Sequence, residues 1–296
     1  MPITRTIDNA KAERVRRVAD LASRRSRERY GRFLIEGPQA VREAVSCRPD
    51  TVLDLYAEIR DMEDGVPHDD ATPPRFANDT IAAIVSRAEQ EGVYVHPATA
   101  AVMRRISPDC QGIAAVGDLE RMQTDVQDVR FGERPLVAAF WQVRDPGNAG
   151  TVIRAADAAG CDAVILLDDC VDVFNPKVIR STAGSLFHIP VVAMDVAAFF
   201  SWTGDNGLAT VAADVYGVDG KAPVELPQAL ADRDFIRRSK AVVFGNEARG
   251  LEPGLLRRCD SMVRVPLYGK AESLNLATSA AVLLMSLAMS SHIEKM

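Results

Sequence analysis

Several features that would assign a class of protein are missing from this sequence of 296 residues. It has five cysteines, which is an odd number, and they are scattered along the chain. No C-x-x-C motif occurs. Neither a disulfide framework nor a zinc site is therefore indicated, and we expect no metal. The first residues contain no apolar core of the kind a signal peptide needs. We expect a cytoplasmic protein in a reducing environment.

An overall excess of positive charge is also missing, because the formal net charge is -6. The distribution of charge is uneven, however. Residues 1–48 contain 12 Lys and Arg against 6 Asp and Glu, so the remaining residues carry a net charge of -12. This asymmetry fits a basic recognition region on an acidic body. A solvated basic helix without a partner is the alternative.

One long stretch, Ser273 to Ser291, lacks formal charge and is long enough to raise the question of a membrane span. It nevertheless contains an asparagine and several serine and threonine residues. We therefore expect no membrane segment, and we predict a long helix that is buried in a core or in a subunit interface.

The basic region predicts a helix over residues 10–30, in which arginines fill the positions between Val15, Val18 and Leu21. A short strand and a turn follow. Arginines beside an aromatic residue suit RNA, because guanidinium groups fork toward phosphates and aromatic rings stack on bases. Four candidate RNA contacts result: Arg25, Arg27, Arg32 and Phe33. Glu36 is expected to stabilise the turn.

The second half of the chain alternates apolar strands with helices, beginning with the strand Leu136 to Trp141. Such alternation indicates an α/β fold with a parallel sheet. The polar, alternately charged stretch between the halves reads as a linker. We predict an RNA-recognition domain over 1–118, a linker over 119–133 and a second domain over 134–296.

The first turn of this second domain reads P-G-N-A-G, at residues 146–150. A dinucleotide site would require G-x-G-x-x-G and an acidic residue about 20 positions later. That template fails here, which disfavours a nucleotide-dependent oxidoreductase, the generic alternative for an α/β fold.

Two loops near the end of the chain follow predicted strands. The first is G-N-E-A-R-G-L, from Gly245 to Leu251, and the second is V-P-L-Y-G-K-A-E-S-L-N, from Val265 to Asn275. Open α/β sheets bind ligands at such strand ends. The second loop opens a helix, and either Ser273 or Asn275 could cap it. The pattern favours a small polar cofactor that is gripped by main-chain groups.

These two loops resemble signatures of the SpoU/TrmH family of RNA ribose 2′-O-methyltransferases, in the SPOUT superfamily. The family patterns G-N/S-E-x-x-G-L and I/V-P-x-x-G-x-x-x-S-L-N match in spacing throughout. The family's first signature, N-x-G-x-x-x-R-x-A-x-x-x-G, matches from Asn148 through Arg154 to Gly160. Ala248 is a departure, because many members have glycine there.

The resemblance implies a trefoil-knotted C-terminal SPOUT domain with a parallel sheet, preceded by a small ribosomal-protein-like α/β domain. It also implies a homodimer and S-adenosylmethionine as cofactor. The residues that match the family's cofactor contacts are Gly245, Val265, Leu267, Gly269 and Leu274. The residues that match its catalytic positions are Arg154, Asn148, Glu247, Ser273 and Asn275.

The implied reaction is methyl transfer to a ribose 2′-hydroxyl, with 23S ribosomal RNA as the expected substrate. The family assigns proton removal to the arginine that matches Arg154, although the pKa of arginine is above about 12. Either Arg154 is deprotonated transiently, or it stabilises the alkoxide while an RNA phosphate accepts the proton. A tRNA methyltransferase and a non-catalytic RNA-binding protein of the same fold are the alternative functions.

Overall fold

The computed structural model describes residues 6–60 and 74–293, with side chains as far as residue 291. The chain divides into two compact units. Unit 1 contains Met1–Gln123 and Asp172–His188, and unit 2 contains Thr124–Val171 and Ile189–Met296. The division after residue 123 lies inside the predicted linker. Residues 172–188 differ from expectation, because the sequence placed them in the second domain and the structure groups them with unit 1.

The strands follow one another along the chain in this order: β1 (Arg32–Glu36), β2 (Val52–Glu58), β3 (Tyr94–Ala98), β4 (Ile113–Asp118), β5 (Leu136–Trp141), β6 (Ala163–Leu167), β7 (Val191–Met194), β8 (Ala209–Ala213), β9 (Val224–Glu225), β10 (Lys240–Phe244) and β11 (Ser261–Arg264). The helices are α1 (Glu13–Asp20), α2 (Arg24–Tyr30), α3 (Pro38–Cys47), α4 (Asp79–Gln90), α5 (Ala100–Ile106), α6 (Leu119–Met122), α7 (Pro146–Ala158), α8 (Pro176–Ser181), α9 (Val196–Asp205), α10 (Leu226–Ala231), α11 (Arg233–Arg237), α12 (Pro253–Arg258) and α13 (Leu276–Ile293).

The predicted helix over residues 10–30 is two helices, α1 and α2, and the continuous helix was wrong. The break comes where Ser23 caps a new helix, because its hydroxyl accepts a hydrogen bond from the Ser26 N–H at 3.3 Å. Gly31 ends α2 in the left-handed conformation, with φ of 61°. A serine between arginines gave no clear signal against helix continuation.

Unit 1 has a four-stranded sheet in the order β1-β4-β2-β3, in which only β2 and β3 are parallel. Leu34, Tyr56 and Val116 point to the face that α1 and α5 cover. Successive side chains of a strand alternate between faces, so Phe33, Ile35 and their neighbours point to the other face. Helices α3 and α4 contact the sheet there.

Unit 2 has a seven-stranded sheet in the order β7-β6-β5-β10-β8-β11-β9. Every recorded pairing in it is parallel, as the sequence predicted. All residues of β6 and β10 are buried, which is typical of parallel strands covered on both faces. Because the strands are parallel, the loops that follow them lie at one edge of the sheet.

The long C-terminal helix α13 packs against α7. Its buried side chains include Ala280, Leu283, Leu284 and Leu287. The predicted helix over 273–291 is confirmed, with its start three residues later. Among the helices of the described residues, none has the length and hydropathy that crossing a membrane would require.

Candidate active site

The edge of the unit 2 sheet brings together the loops that follow β5 and β10, because these strands are hydrogen-bonded neighbours. Phe140 pairs with Phe244, so Gln142 and Asn246 emerge side by side. The Asn246 amide nitrogen donates a hydrogen bond to the Gln142 carbonyl oxygen at 2.7 Å. The two loops are therefore tied to each other at the strand ends.

Asn246 also organises its own loop. Its side-chain oxygen accepts hydrogen bonds from the N–H groups of Ala248 at 3.0 Å and Arg249 at 3.3 Å. Its main chain exchanges two hydrogen bonds with Gly250. The loop turns so tightly that a Cβ atom on Gly245 would lie 2.4 Å from the carbonyl carbon of Gly250. The glycine at 245 is thus required by close backbone approach.

A chain of polar side chains crosses this edge. The Asn275 amide nitrogen donates to the Asn148 side-chain oxygen at 3.1 Å, and the Asn148 amide nitrogen donates to Glu247 Oε1 at 3.2 Å. Asn246 donates to the other Glu247 oxygen at 3.4 Å. Three of the five residues predicted to act in catalysis, Asn148, Glu247 and Asn275, are thereby joined although they lie far apart in sequence.

Helix starts fix the two asparagines of this chain. The Asn275 side-chain oxygen accepts a hydrogen bond from the Ala277 N–H at 2.8 Å, so it caps α13 while its amide nitrogen reaches Asn148. Of the two cap candidates, Asn275 is the one used. Asn148 lies in the first turn of α7, where its N–H donates to the capping Asp145 carboxylate at 2.8 Å.

The other two predicted catalytic residues, Arg154 and Ser273, are exposed. Neither side chain forms a hydrogen bond or ion pair with another described residue. Arg154 lies on α7, downstream of Asn148 on the same helix. Its guanidinium is exposed and accessible to a polyanion, and among the described residues it forms no hydrogen bond with Asn148, Glu247 or Asn275.

The residues predicted to hold a cofactor line the ends of β10 and β11. Gly245, Val265, Leu267 and Leu274 are half-buried, and Gly269 is exposed. Residues 266–274 form no backbone hydrogen bond with another backbone group of the described chain. A Cβ atom added at Gly269 would meet nothing within 4 Å. The loop therefore offers main-chain donors and acceptors beside open space, which fits a small polar ligand.

The sequence analysis did not predict two residues that lie at this edge, Gln142 and Arg249. Gln142 follows β5 directly with φ of 51°, and its side-chain oxygen accepts a hydrogen bond from Arg249 at 2.7 Å. The Arg249 guanidinium also lies 5.8 Å from the centre of the Trp141 ring. The position of Gln142 at a strand end is a signal that sequence reasoning could have used.

The predicted RNA contacts of unit 1 are divided between surface and interior. Arg25 and Arg32 are exposed. Arg27 is 3% exposed and donates to Asp172 Oδ2 at 2.6 Å and to the Leu21 carbonyl at 2.8 Å. Phe33 is 0% exposed and its ring centre lies 4.8 Å from that of Phe174. Arg27 and Phe33 thus have no surface to offer an RNA in this structure and serve the packing of unit 1.

Glu36 was predicted to stabilise the turn after β1, but its carboxylate contacts groups outside that turn. It is buried, and its carboxylate accepts hydrogen bonds from Arg180 and, at 2.6 Å, from the Ser107 hydroxyl. These contacts connect β1 with residues 172–188, the segment that the sequence had assigned to the other domain.

Comparison with known families matches two regions of the chain. Residues 135–285 match the SpoU rRNA Methylase family, and residues 12–114 match the MRM3-like substrate binding domain. Both matched regions lie inside the domains predicted from the sequence.

Curated relatives match over nearly the full length. The chain is 34% identical over 280 residues to the 23S rRNA (guanosine(2553)-2′-O)-methyltransferase RlmP of Bacillus subtilis, covering 94% of this chain and 96% of that protein. It is 27% identical over 284 residues to the 23S rRNA (uridine(2479)-2′-O)-methyltransferase of Streptomyces viridochromogenes, covering 96% and 91%.

Solved structures show the same fold. An AdoMet-bound rRNA methyltransferase from Sinorhizobium meliloti superposes with a TM-score of 0.76 at 24% identity, covering 96% of this chain and 97% of that one. The SpoU methyltransferase AviRb from Streptomyces viridochromogenes gives a TM-score of 0.75 at 23% identity, covering 96% and 99%. With the strand-end loops in place and a family match over more than half of its length, the chain belongs to the SpoU rRNA methylase family.

Proposed function

We propose that this protein is an S-adenosylmethionine-dependent methyltransferase that modifies a ribose 2′-hydroxyl in 23S ribosomal RNA, in the cytoplasm. The observation that carries the proposal is the hydrogen-bonded chain Asn275–Asn148–Glu247 beside the loops of β10 and β11. The family and the printed activities of the two relatives agree with it.

S-adenosylmethionine would be held by Gly245, Val265, Leu267, Gly269 and Leu274, and it supplies an activated methyl group on a sulfonium. The half-buried apolar side chains can pack on its rings, while the main chain of residues 266–274 can pair with its polar atoms. The tight turn at Gly245 keeps side-chain atoms out of the close approach between residues 245 and 250. No metal takes part in this proposal.

The polar chain positions the ribose. Asn148 and Asn275 are each anchored by a helix start, and each has its amide hydrogen bonded, so the Glu247 carboxylate is held in one place. A fixed carboxylate and amide can hold a sugar hydroxyl in a single orientation. Ser273, exposed next to Asn275, adds a further hydroxyl to this surface. Such preorganisation reduces the entropy cost of bringing reactants together.

Arg154 stabilises charge in this proposal. A sugar hydroxyl must lose its proton as the new bond forms, and an alkoxide develops. Arginine keeps its proton in proteins, so the Arg154 guanidinium acts as the partner of the alkoxide, and an RNA phosphate oxygen takes the proton. Preorganised charges of this kind are worth about 10²–10³ in rate.

Unit 1 binds the RNA in this proposal, and Arg25 and Arg32 contact phosphates from its surface. Its match to a substrate binding domain and its basic N-terminal region both support this role. The proposal includes the ribosomal-protein-like fold of unit 1 that the family resemblance implied.

A homodimer through α13 completes the site. Val282 is 38% exposed and Met289 is 54% exposed, and residues seven positions apart lie on one face of a helix. Exposed apolar side chains on one face of this helix suit a second copy. Light scattering measures the oligomeric state. A monomeric protein that still methylates RNA would contradict the proposed dimer.

We also infer the trefoil knot of this family. The sheet order supports it, because β10 lies between β5 and β8 although it follows both in the chain. The family match carries this inference, because unknotted parallel sheets also contain late strands that lie between earlier ones.

The central experiment compares Arg154→Ala with the wild type for methyl transfer to 23S rRNA transcripts, with tRNA transcripts as competitors. We expect transfer to fall by at least about 10²-fold while S-adenosylmethionine affinity in calorimetry stays the same. Arg144→Ala is the matched control, since Arg144 is exposed in the same unit and pairs with Asp169 at 2.7 Å. A fully active Arg154→Ala enzyme would overturn the mechanism, and absence of cofactor binding by the wild type would favour a non-catalytic RNA-binding protein.

A further inference from the structure

A cavity of about 520 Å³ opens on unit 1 between α1, β1 and β2. Its polar lining is formed by Arg14 and Arg17 of α1, Tyr30 of α2, Arg32 of β1, and Asp54 and Tyr56 of β2. Ligand sites commonly measure about 300–1,000 Å³, so the cavity can hold one small organic group and is too small for a double helix.

The floor of the cavity holds a fixed pair of opposite charges. Arg14 donates from Nε to the Tyr56 hydroxyl at 3.0 Å and from Nη2 to Asp54 Oδ1 at 3.0 Å. His96 Nε2 lies 2.7 Å from the same Asp54 oxygen. Tyr56 and His96 are both 1% exposed, so the partners that hold Arg14 and Asp54 are themselves held by packing.

The Asp54 carboxylate is an ionised acceptor at neutral pH. Burial by itself raises its pKa, but the hydrogen bond from His96 and the charges of His96, Arg14 and Arg32 outweigh burial and lower the pKa below its ordinary value. The ionised Asp54 carboxylate therefore lies beside the Arg14 guanidinium, whose orientation is fixed by its hydrogen bonds to Tyr56 and Asp54.

Arg14 and Asp54 both line the cavity, and both retain bonding capacity. Within the described residues, neither Arg14 Nη1 nor Asp54 Oδ2 has a hydrogen-bond partner. Donor and acceptor thus stand side by side. Guanine presents the complementary edge, because its O6 acceptor adjoins the N1–H and N2–H donors. Arginine donates to guanine O6 in known base readout, and carboxylates accept from base N–H groups. Adenine and cytosine present an amino donor where guanine has O6, and uracil pairs its O4 acceptor with one N–H donor where guanine has two.

The rim of the cavity suits the rest of a nucleotide. Tyr30 is 37% exposed, and its ring can stack on a base, as aromatic rings do in single-stranded RNA sites. The Arg17 side chain is 62% exposed and pairs with Glu13, and Arg32 is exposed. These two guanidinium groups can reach phosphates on either side of a base.

We propose that this cavity binds one unpaired guanine of the RNA substrate, with the base edge on Arg14 and Asp54 and the base face against Tyr30. The inference rests on RNA being the substrate. It adds to that function a base-reading pocket in unit 1, separate from the residues that carry methyl transfer.

The test uses the full-length protein and fluorescently labelled RNA pentamers AAGAA, AAAAA and AACAA, followed by anisotropy. We expect AAGAA to bind roughly tenfold more tightly than the other two, as one bidentate base contact provides. Arg14→Lys retains the charge and removes the fork, and Asp54→Asn removes the ionised acceptor. Each is expected to abolish the preference for AAGAA, and Tyr30→Ala is expected to weaken AAGAA roughly tenfold.

Arg42→Gln is the matched control, because Arg42 is exposed on α3, against the other face of the sheet. It should lower the affinity for all three pentamers equally or leave them unchanged. Equal binding of the three pentamers by the wild type would overturn the inference, as would a retained guanine preference in Arg14→Lys. Circular dichroism confirms that each variant is folded, and Tyr30→Ala, at an exposed position, serves if Arg14→Lys unfolds. The assay contains no methyl donor, so failure of this site and failure of methyl transfer are separate results.

Discussion

Two sets of hydrogen-bonded polar side chains, one in each unit, differ in burial. In unit 1, Arg27 and Glu36 are buried, and each has several partners. In unit 2, the chain Asn275–Asn148–Glu247 lies at a solvent-exposed sheet edge. A buried charge must be paired, so the first network stabilises packing, whereas exposed polar groups are available to a ligand. The comparison teaches that burial decides whether a polar side chain is used up by internal partners or remains accessible to a ligand.

The largest effect that tests this comparison is expected for Arg27→Ala. Loss of Arg27 leaves the Asp172 carboxylate without its cation, so the free energy of unfolding should fall by about 3–5 kcal/mol. Chemical denaturation measures it.

Arg25→Ala is the control for that experiment, since Arg25 lies two positions away and is exposed. It should change the free energy of unfolding by about 0.5 kcal/mol or less. If Arg27→Ala were equally mild and lost RNA affinity instead, the structural assignment of Arg27 would be wrong.

A second prediction concerns Lys240, a buried charged residue of unit 2 that is 5% exposed and donates to the Ile236 carbonyl at 3.1 Å. Burial, with the charges of Arg238 and Arg134, lowers its pKa to about 8. Between that value and the ordinary lysine pKa, the unfolded chain binds more protons than the folded one. The free energy of unfolding should therefore rise with pH from about 8 to about 10.5 through this group.

Lys240→Met removes this contribution. Each pKa unit corresponds to about 1.4 kcal/mol, so the variant should gain on the order of 3 kcal/mol relative to wild type below pH 8, and the gain should shrink as pH rises. Denaturation of both proteins at several pH values checks it. A gain that is independent of pH would show that Lys240 is not a buried cation.

A third prediction concerns Asn246, which is 9% exposed. Its exposed fraction lies between that of Arg27 and Glu36 and that of the chain Asn275–Asn148–Glu247. Asn246→Ala leaves the Gln142 carbonyl and the N–H groups of Ala248 and Arg249 without this partner, which should cost about 1–3 kcal/mol of stability. Because the loop shape depends on it, calorimetry should also show weaker S-adenosylmethionine binding. Unchanged cofactor affinity would contradict this prediction, because it would show that cofactor binding does not depend on the loop shape that Asn246 maintains.

The smallest effect on stability is expected for Asn148→Ala. Its partners are exposed, so the free energy of unfolding should change by about 0.5 kcal/mol. Methyl transfer should nevertheless fall by about 10²-fold, because Glu247 and the ribose lose their alignment.

Asn206→Ala is the control for Asn148→Ala, since Asn206 is an exposed amide at the end of α9. It should be neutral in both measurements. A large stability loss in Asn148→Ala with normal transfer would reverse the comparison between the two networks.

Much of unit 2 could be predicted from local sequence. The strand at Leu136–Trp141 and the helix start at Asp145–Pro146 combine an apolar run, a cap and a proline at the first turn. Such signals depend on a few neighbouring residues, so they can be read without knowing the tertiary structure. The break between α1 and α2 was missed because a single serine between arginines competes weakly with helix continuation.

The placement of Arg27, Phe33 and residues 172–188 could not be predicted in the same way. Arginines at 25 and 27 look alike in sequence, and only the partner Asp172, 145 positions away, makes one of them an interior residue. The cavity that Arg14 and Asp54 line depends likewise on which face of β2 meets α1.

By itself, the sequence determined the alternation of strand and helix, the glycine at 245 and the residue types at the strand ends, because these follow from local backbone preferences and short motifs. The tertiary structure alone decided that Asn275, Asn148 and Glu247 form one hydrogen-bonded chain, and that Arg27 is buried while Arg25 is exposed. The physical reason is that burial and pairing depend on contacts between segments far apart in the chain, which no local pattern encodes.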